Sequence, residues 1–354
     1  VGAGAVTLGT ATSSRNIFVK FQESQTWTNH SSNTVNIRNN GAASDTATGD
    51  VVLTFNTTGS GAISNSGGFS DGTSGHKLSL VVDSSGTGSV SLNGGSYSGG
   101  TTVKRGLLIQ NGSSQMGTGG VKLGDTSGSN TATLRINTTT IQTSALNVQS
   151  GNSGANQLQF GGSTTGEWSG DVALNNALSV QVRGGSTGTI SGDLTGTGSL
   201  TKEGYTPSVG NGGTLIMSGD LSYAGNTTIN SGIFQLASAG SMTFFIGENG
   251  VNNKLTGTAT VQLDGTIVFN LANAAAVSGN SWQIVNVGTL NESYSSNFKV
   301  NGFTTEGDGL WTNNAGYVFS QGTGLLTYTV PEPTSCVLAA GGVILLGLRR
   351  RRVG

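Results

Sequence analysis

Short runs of β-branched and leucine residues, each closed by glycine or asparagine, set the terms on which this chain can fold. From Val51 onward they recur as Val51-Val52-Leu53-Thr54-Phe55, Leu78-Ser79-Leu80-Val81-Val82, residues 131–136 and Leu158-Gln159-Phe160. Alternation at period two is plain in Ser89-Val90-Ser91-Leu92 and Leu178-Ser179-Val180-Gln181-Val182. Apolar runs of about four to six residues between turn formers read as strands, because successive side chains point to opposite faces. No stretch before Thr334 keeps a helical period for three turns, and residues 272–277 offer one helical turn at most. The body is expected to be all-β.

Composition narrows the architecture. The 354 residues include 60 glycines, 34% hydrophobic residues and 9% charged ones. So little apolar material builds a core only if the core is thin and repeated. In a parallel β-solenoid each coil stacks on the next at about 4.8 Å, so equivalent side chains form ladders. Aliphatic ladders fill the inside, threonine and asparagine ladders hydrogen-bond outside, and stacked charges would repel, which suits a chain poor in charge. Glycine fits corners that need positive φ. A glycine-rich disordered linker is the competing reading, and the repeated aliphatic pairs argue against it.

An internal repeat supports the solenoid. Tyr97-Ser98-Gly99-Gly100-Thr101-Thr102-Val103-Lys104-Arg105-Gly106-Leu107-Leu108 aligns without gaps to Tyr223-Ala224-Gly225-Asn226-Thr227-Thr228-Ile229-Asn230-Ser231-Gly232-Ile233-Phe234. A weaker copy begins at Trp168-Ser169-Gly170. The second copy follows Gly196-Thr197-Gly198-Ser199-Leu200-Thr201-Lys202 and Gly213-Thr214-Leu215-Ile216-Met217-Ser218-Gly219. This stretch resembles the autotransporter-associated β-strand repeat, whose pattern runs G-x-G-x-L-x-K, G-x-L-x-L-x-G, then Y-S-G-x-T-x-I-x-x-G-x-L. The match is clearest over residues 87–123 and 190–236, and Asn226 stands where the first copy has Gly100. The resemblance implies a passenger-type, right-handed parallel β-helix over residues 1–240.

Aromatic residues thicken over 241–329, with Phe244, Phe245, Phe269, Trp282, Phe298, Phe303, Trp311 and Phe319. Strands are expected near 259–263, 266–271, 282–287, 297–300, 317–320 and 325–330. A larger aromatic core suggests a C-terminal β cap, since an open solenoid end exposes unpaired strand groups. A β-sandwich-like binding module is the alternative for this segment.

Residues 330–354 form a third region. Pro331, Glu332 and Pro333 hold extended backbone. They are followed by an apolar run from Thr334 to Leu348 and then Arg349, Arg350, Arg351 and Arg352. Fifteen helical residues reach about 22 Å against a hydrocarbon core of roughly 30 Å. Such a helix is short for a span, but flanking arginines can snorkel. The arginine cluster places that end in the cytoplasm and the body outside. The order of these three parts resembles the PEP-CTERM sorting signal of Gram-negative envelope proteins. That resemblance implies an exosortase-type processing enzyme that recognises Pro331, Glu332 and Pro333. It also implies a transient inner-membrane anchor at 334–348 and a stop-transfer role for Arg349–Arg352. A plain tail anchor or a buried apolar terminus is the alternative. Cys336 lies inside the apolar run, so the body carries no cysteine and no internal disulfide is expected. An exported chain needs a signal peptide, and since Val1 opens without one, a preceding segment is expected.

Candidate chemistry is sparse. Without the tail the body has 12 basic and 16 acidic residues, which argues against nucleic-acid binding. His30 and His76 are the chain's two histidines, and His76 sits in a turn-like Asp71-Gly72-Thr73-Ser74-Gly75-His76-Lys77. Asp171, Asp193, Asp220, Asp264 and Asp308 lie in glycine-, serine- or asparagine-rich settings that favour turns over catalysis. No zinc-protease, nucleophile-elbow or Cys/His metal spacing occurs, nor a calcium-binding nonapeptide, and no cofactor is implied. Tyr97 and Tyr223 are expected to pack at corners rather than to stack on sugars. The function expected is a non-enzymatic, exported surface or extracellular protein with a structural or adhesive role, within the envelope or an exopolysaccharide matrix. A polysaccharide-binding or polysaccharide-degrading β-helix is the alternative, which three or more carboxylates on adjacent coils lining a groove would favour.

Overall fold

The computed structural model describes residues 5–8, 18–38, 40–43, 46–73, 75–162, 165–205, 212–288 and 292–330, and every regular element among them is a strand. The strands stack in parallel as a β-solenoid of about ten turns. One coil shows the plan. Leu146–Val148 forms the first face, Asn156–Phe160 the second and Gly166–Trp168 the third, after which Val172–Leu174 returns to pair with Leu146–Val148. Coil length varies, since Thr101 stacks on Val121 but Thr266 on Lys299, and the difference is absorbed at the corners.

The interior is built from the ladders that period-two alternation demands. On the first face Leu53, Leu80, Thr101, Val121, Leu146, Val172, Leu194, Leu221, Met242, Ile267 and Val300 lie in register, all buried. The second face stacks Val90, Leu108, Leu134, Leu158, Val180, Lys202 and Ile229. On the third, Trp168, Ile190, Met217, Leu236, Leu263 and Tyr294 follow one another. Each buried aliphatic rung contributes about 1.5–3 kcal/mol from removal of apolar surface from water. Phe160 is accommodated because the third face offers it Gly166 and Gly188; a Cβ on Gly188 would lie 2.4 Å from its ring.

Polar side chains also join neighbouring coils. On the exposed surface Asn175 Nδ2 donates to Asn147 Oδ1 at 3.1 Å; under cover, Thr133 Oγ1 donates to Gln157 Oε1 at 3.0 Å and Gln159 Nε2 to Gln181 Oε1 at 2.9 Å. A second device works at corners. The side chain just before a strand accepts the backbone N–H of its equivalent one coil on, as in Asp50 with Lys77, Asp193 with Asp220 and Asn226 with Lys254.

The two repeat copies occupy different corners. Tyr223 ends a first-face strand and Thr227 opens the second face. Tyr97 instead follows the third-face bridge at Gly95, and Thr101 opens the first face. The motif therefore encodes a strand–corner–strand unit rather than a whole coil. Trp168, four residues before Val172, shares the corner of Tyr97.

Parallel stacking also runs past the boundary expected at 241. Ser241–Phe245, Leu255–Gly257 and Thr260–Leu263 form one further coil, and Thr266–Asn270, Val285–Asn286 and Glu292–Tyr294 another, before Lys299–Val300 pairs with Thr266–Asn270. Part of the aromatic enrichment fills these last coils: Phe244 stacks on Phe269 inside the first face. Residues 282–287, read as one strand, are two. Ser281–Gln283 pairs antiparallel with Leu325–Tyr328, and Val285–Asn286 stays in the second face. Around it an antiparallel sheet runs Ser281–Gln283, Leu325–Tyr328, Tyr317–Ser320, Leu310–Thr312, Thr304–Gly307. Its Phe319 is fully buried, with its ring centroid 5.6 Å from Phe269, 6.4 Å from Phe298 and 6.5 Å from Tyr294. The sheet thus packs against the aromatic residues of the last coil. Residues 272 and 273 form a turn and 274–277 are irregular, so the helical turn does not form.

Candidate functional site

The tail residues Pro331, Glu332, Pro333 and Arg349–Arg352, with the expected helix between them, lie outside the described residues. Among the described residues no helix is long and apolar enough to cross a membrane. The chain leaves the antiparallel sheet at Tyr328, and Val330 is exposed.

The candidate catalytic groups are dispersed. His30 is exposed, its Nδ1 2.7 Å from Thr58 Oγ1. His76 closes the turn that follows Asp71, its carbonyl accepting from Gly72 N–H. Asp71 itself links two coils, accepting from the backbone of Leu78 and of Ser98. Burial pushes its carboxyl up, but the hydrogen bonds from Ser98 and Leu78 and the charge of Lys77 together hold it below the usual range. Asp308 is a turn residue with φ 49° between two antiparallel strands, and Asp264 accepts from Gln235 Nε2 at 2.8 Å. Asp171, Asp193 and Asp220 do stack on adjacent coils, the arrangement the polysaccharide-degrading reading calls for. Oδ1 of each serves the stacking, accepting from Asp193 N–H, Asp220 N–H and Ser241 Oγ respectively. Among the described residues no group of three or more His, Cys, Asp or Glu side chains could hold a metal ion.

Tyr97 and Tyr223 are buried, as packing residues should be. Burial drives both phenols far above their ordinary range, and the threonine hydroxyl four residues on offsets only part of that. Neither ring is available for stacking on a sugar.

Lys202 is the polar group that sequence reasoning missed. It is fully buried between Val180 and Ile229, and its Nζ donates to the carbonyls of Glu203 at 3.0 Å and Ser231 at 2.9 Å. Burial pushes its pKa down to about 8, against the opposing pull of the Glu203 carboxylate. The signal was present: Leu200, Thr201 and Lys202 alternate, so Lys202 is in phase with the inward Leu200.

The third face is thinnest between Phe69–Ser70 and Gly166–Trp168, where bridges at Gly95, Met116 and Gln142 replace full strands. A groove of about 500 Å³ runs from the first third-face strands into this stretch, lined by Phe18, Asn40, Gly68, Ser70, Ser96 and Gln115 among others. Among the described residues that line it, none is ionisable. Its walls come from successive coils, so no contiguous motif announces it.

Comparison with known proteins gives no matching family model and no matching curated sequence. The class that the fold defines is an all-β parallel solenoid with three faces and an antiparallel sheet packed on its last coil.

Proposed function

We propose that this chain is an exported, non-enzymatic β-solenoid with a structural or adhesive role at the cell surface or in an exopolysaccharide matrix. The observation that carries the reading is the continuous stacking of coils with polar ladders between them, which makes a stiff rod out of uncharged side chains. In this reading the coils form a right-handed passenger helix, and the antiparallel sheet acts as its C-terminal cap. The tail supplies delivery: Pro331, Glu332 and Pro333 are read by an exosortase-type enzyme, 334–348 holds the inner membrane, and Arg349–Arg352 stop translocation. The test is the intact mass of the native protein from envelope and medium, with both termini mapped. A chain ending near Pro331–Pro333 supports sorting; one that retains Arg349–Arg352 in every fraction overturns processing and leaves a plain tail anchor. Polysaccharide binding is the second reading, favoured by the groove on the third face, whose described lining carries no ionisable side chain.

A further inference from the structure

We infer that the third-face groove is a binding site for a linear, uncharged oligosaccharide, lying lengthwise along the solenoid axis between Phe18 and Gln115. Phe18 pairs with Asn40; beside them the inward column Val19, Gly41, Phe69, Gly95, Met116 runs in register, which sets Gly68, Gly94 and Gln115 level with Phe18 and Asn40 on the successive coils. Five coils spaced by about 4.8 Å give the groove a length of roughly 19 Å. A groove of that length takes about four residues of an extended linear pyranose chain laid along the axis, each close to a coil.

The lining has the chemistry such a chain needs. Gly68 contributes backbone without a side chain, which opens the floor, and Gly95 lets its coil close on the Phe69 backbone, where a Cβ would fall 1.9 Å from Phe69 O. Phe18, 50% exposed at one end, offers an apolar ring to the C–H face of a pyranose. Ser70, Ser96 and Asn40 offer hydroxyl and amide groups. With no ionisable side chain among the described lining residues, a charged ligand would lose its hydration without a counter-charge.

The wall is also preformed, which lowers the ordering cost of binding. Gln115 is pinned by Ile141 O at 2.6 Å and Thr143 N–H at 3.0 Å, and Asn40 Oδ1 by Gly68 N–H at 2.8 Å. Two buried side chains brace the same corner: Asn65 Oδ1 accepts from Gly67 N–H, and Gln110 Nε2 donates to Ser114 O.

The inference deepens the polysaccharide-binding reading and stands apart from the sorting of the tail. The experiment is calorimetric titration of the full chain with cellohexaose, xylohexaose and mannohexaose, with oligogalacturonate as the charged comparator. At least one neutral hexaose should bind with a Kd below about 1 mM, and the galacturonate should not. Gly68→Phe should weaken binding at least about tenfold by filling the floor. The backbone admits the Cβ, which meets nothing closer than 3.9 Å, and Gly68→Ala, which adds that Cβ alone, should leave the melting temperature unchanged and serves as the folding control. Phe18→Ala should weaken binding to a similar degree. No heat with any neutral hexaose at millimolar concentration, a preference for the galacturonate, or affinity that survives Gly68→Phe would each overturn the inference. A failed titration leaves the sorting proposal untouched, and an unprocessed C-terminus leaves this one untouched.

Discussion

The phenol of Tyr97 lies 2.6 Å from Thr101 Oγ1 inside the solenoid, where both side chains are shut off from solvent. Thr101 is a polar rung between Leu80 and Val121, and its hydroxyl donates onward to Met116 O at 3.0 Å. Three variants should separate packing from hydrogen bonding. Tyr97→Phe keeps the ring and leaves Thr101 its carbonyl acceptor, so it should cost under about 1 kcal/mol. Thr101→Val strands a buried phenol and should cost about 1–3 kcal/mol. Tyr97→Ala removes the ring and should cost about 3–5 kcal/mol, by analogy with large-to-small core changes. Denaturant midpoints in that order support the account; a Thr101→Val protein as stable as the parent contradicts it.

Lys202 makes stability depend on pH in a direction opposite to that of a paired lysine. Its folded pKa, pushed down to about 8, lies below the ordinary 10.5, so between these values the unfolded chain binds more protons than the folded one. Stability should therefore rise as pH rises from about 8 to 10.5, with a slope approaching about 1.4 kcal/mol per pH unit. Lys202→Met suits the rung between Val180 and Ile229 but leaves the carbonyls of Glu203 and Ser231 without this donor, so its net effect at pH 7 should be small. What it should abolish is the slope. Melting temperatures of the two proteins across that window decide the matter, and parallel curves would remove Lys202 from the explanation.

How far the sequence carried the reading follows from what each feature depends on. Leu178–Val182 and Tyr317–Ser320 were legible as strands because alternation and flanking turn residues are local. The interval 282–287 was not legible as two strands, since its division depends on contacts with Gly324, some 40 residues away in sequence, whose carbonyl accepts from Ile284. Lys202 was readable in phase with Leu200, yet only the rungs above and below it, Val180 and Ile229, place a charged side chain inside. The groove was hidden altogether, because Phe18, Gly68 and Gln115 meet only after the coils have stacked.

The fit of Phe160 over the third face predicts a matched pair of effects. Gly188→Ala would set a methyl 2.4 Å from the Phe160 ring, in an interior too dense to yield freely, and should cost about 1–3 kcal/mol. Gly49→Ala, whose Cβ meets nothing within 4 Å, is the control and should be close to neutral. Phe160→Leu in the Gly188→Ala background should recover part of the loss, since the two changes share one volume. Simple addition of the two single effects would show that the contact is not what limits position 188.

At the C-terminal end, Phe319 joins the antiparallel sheet to the last coil through Phe269, Phe298 and Tyr294. Phe319→Ala should cost about 3–5 kcal/mol locally, because a fully buried ring leaves a cavity that three aromatic neighbours cannot close. If the sheet acts as a cap, its loosening has a second consequence: the strand Lys299–Val300 and the coil beneath it would present unpaired backbone groups, a template for pairing with another chain. Light scattering on heating should then show concentration-dependent aggregation of Phe319→Ala below the melting temperature of the parent. Gly49→Ala serves again as the control, since it changes a residue without removing any of the core. Aggregation onset unchanged from the parent, despite measured loosening of the sheet by hydrogen exchange, would show that the last coil needs no cover.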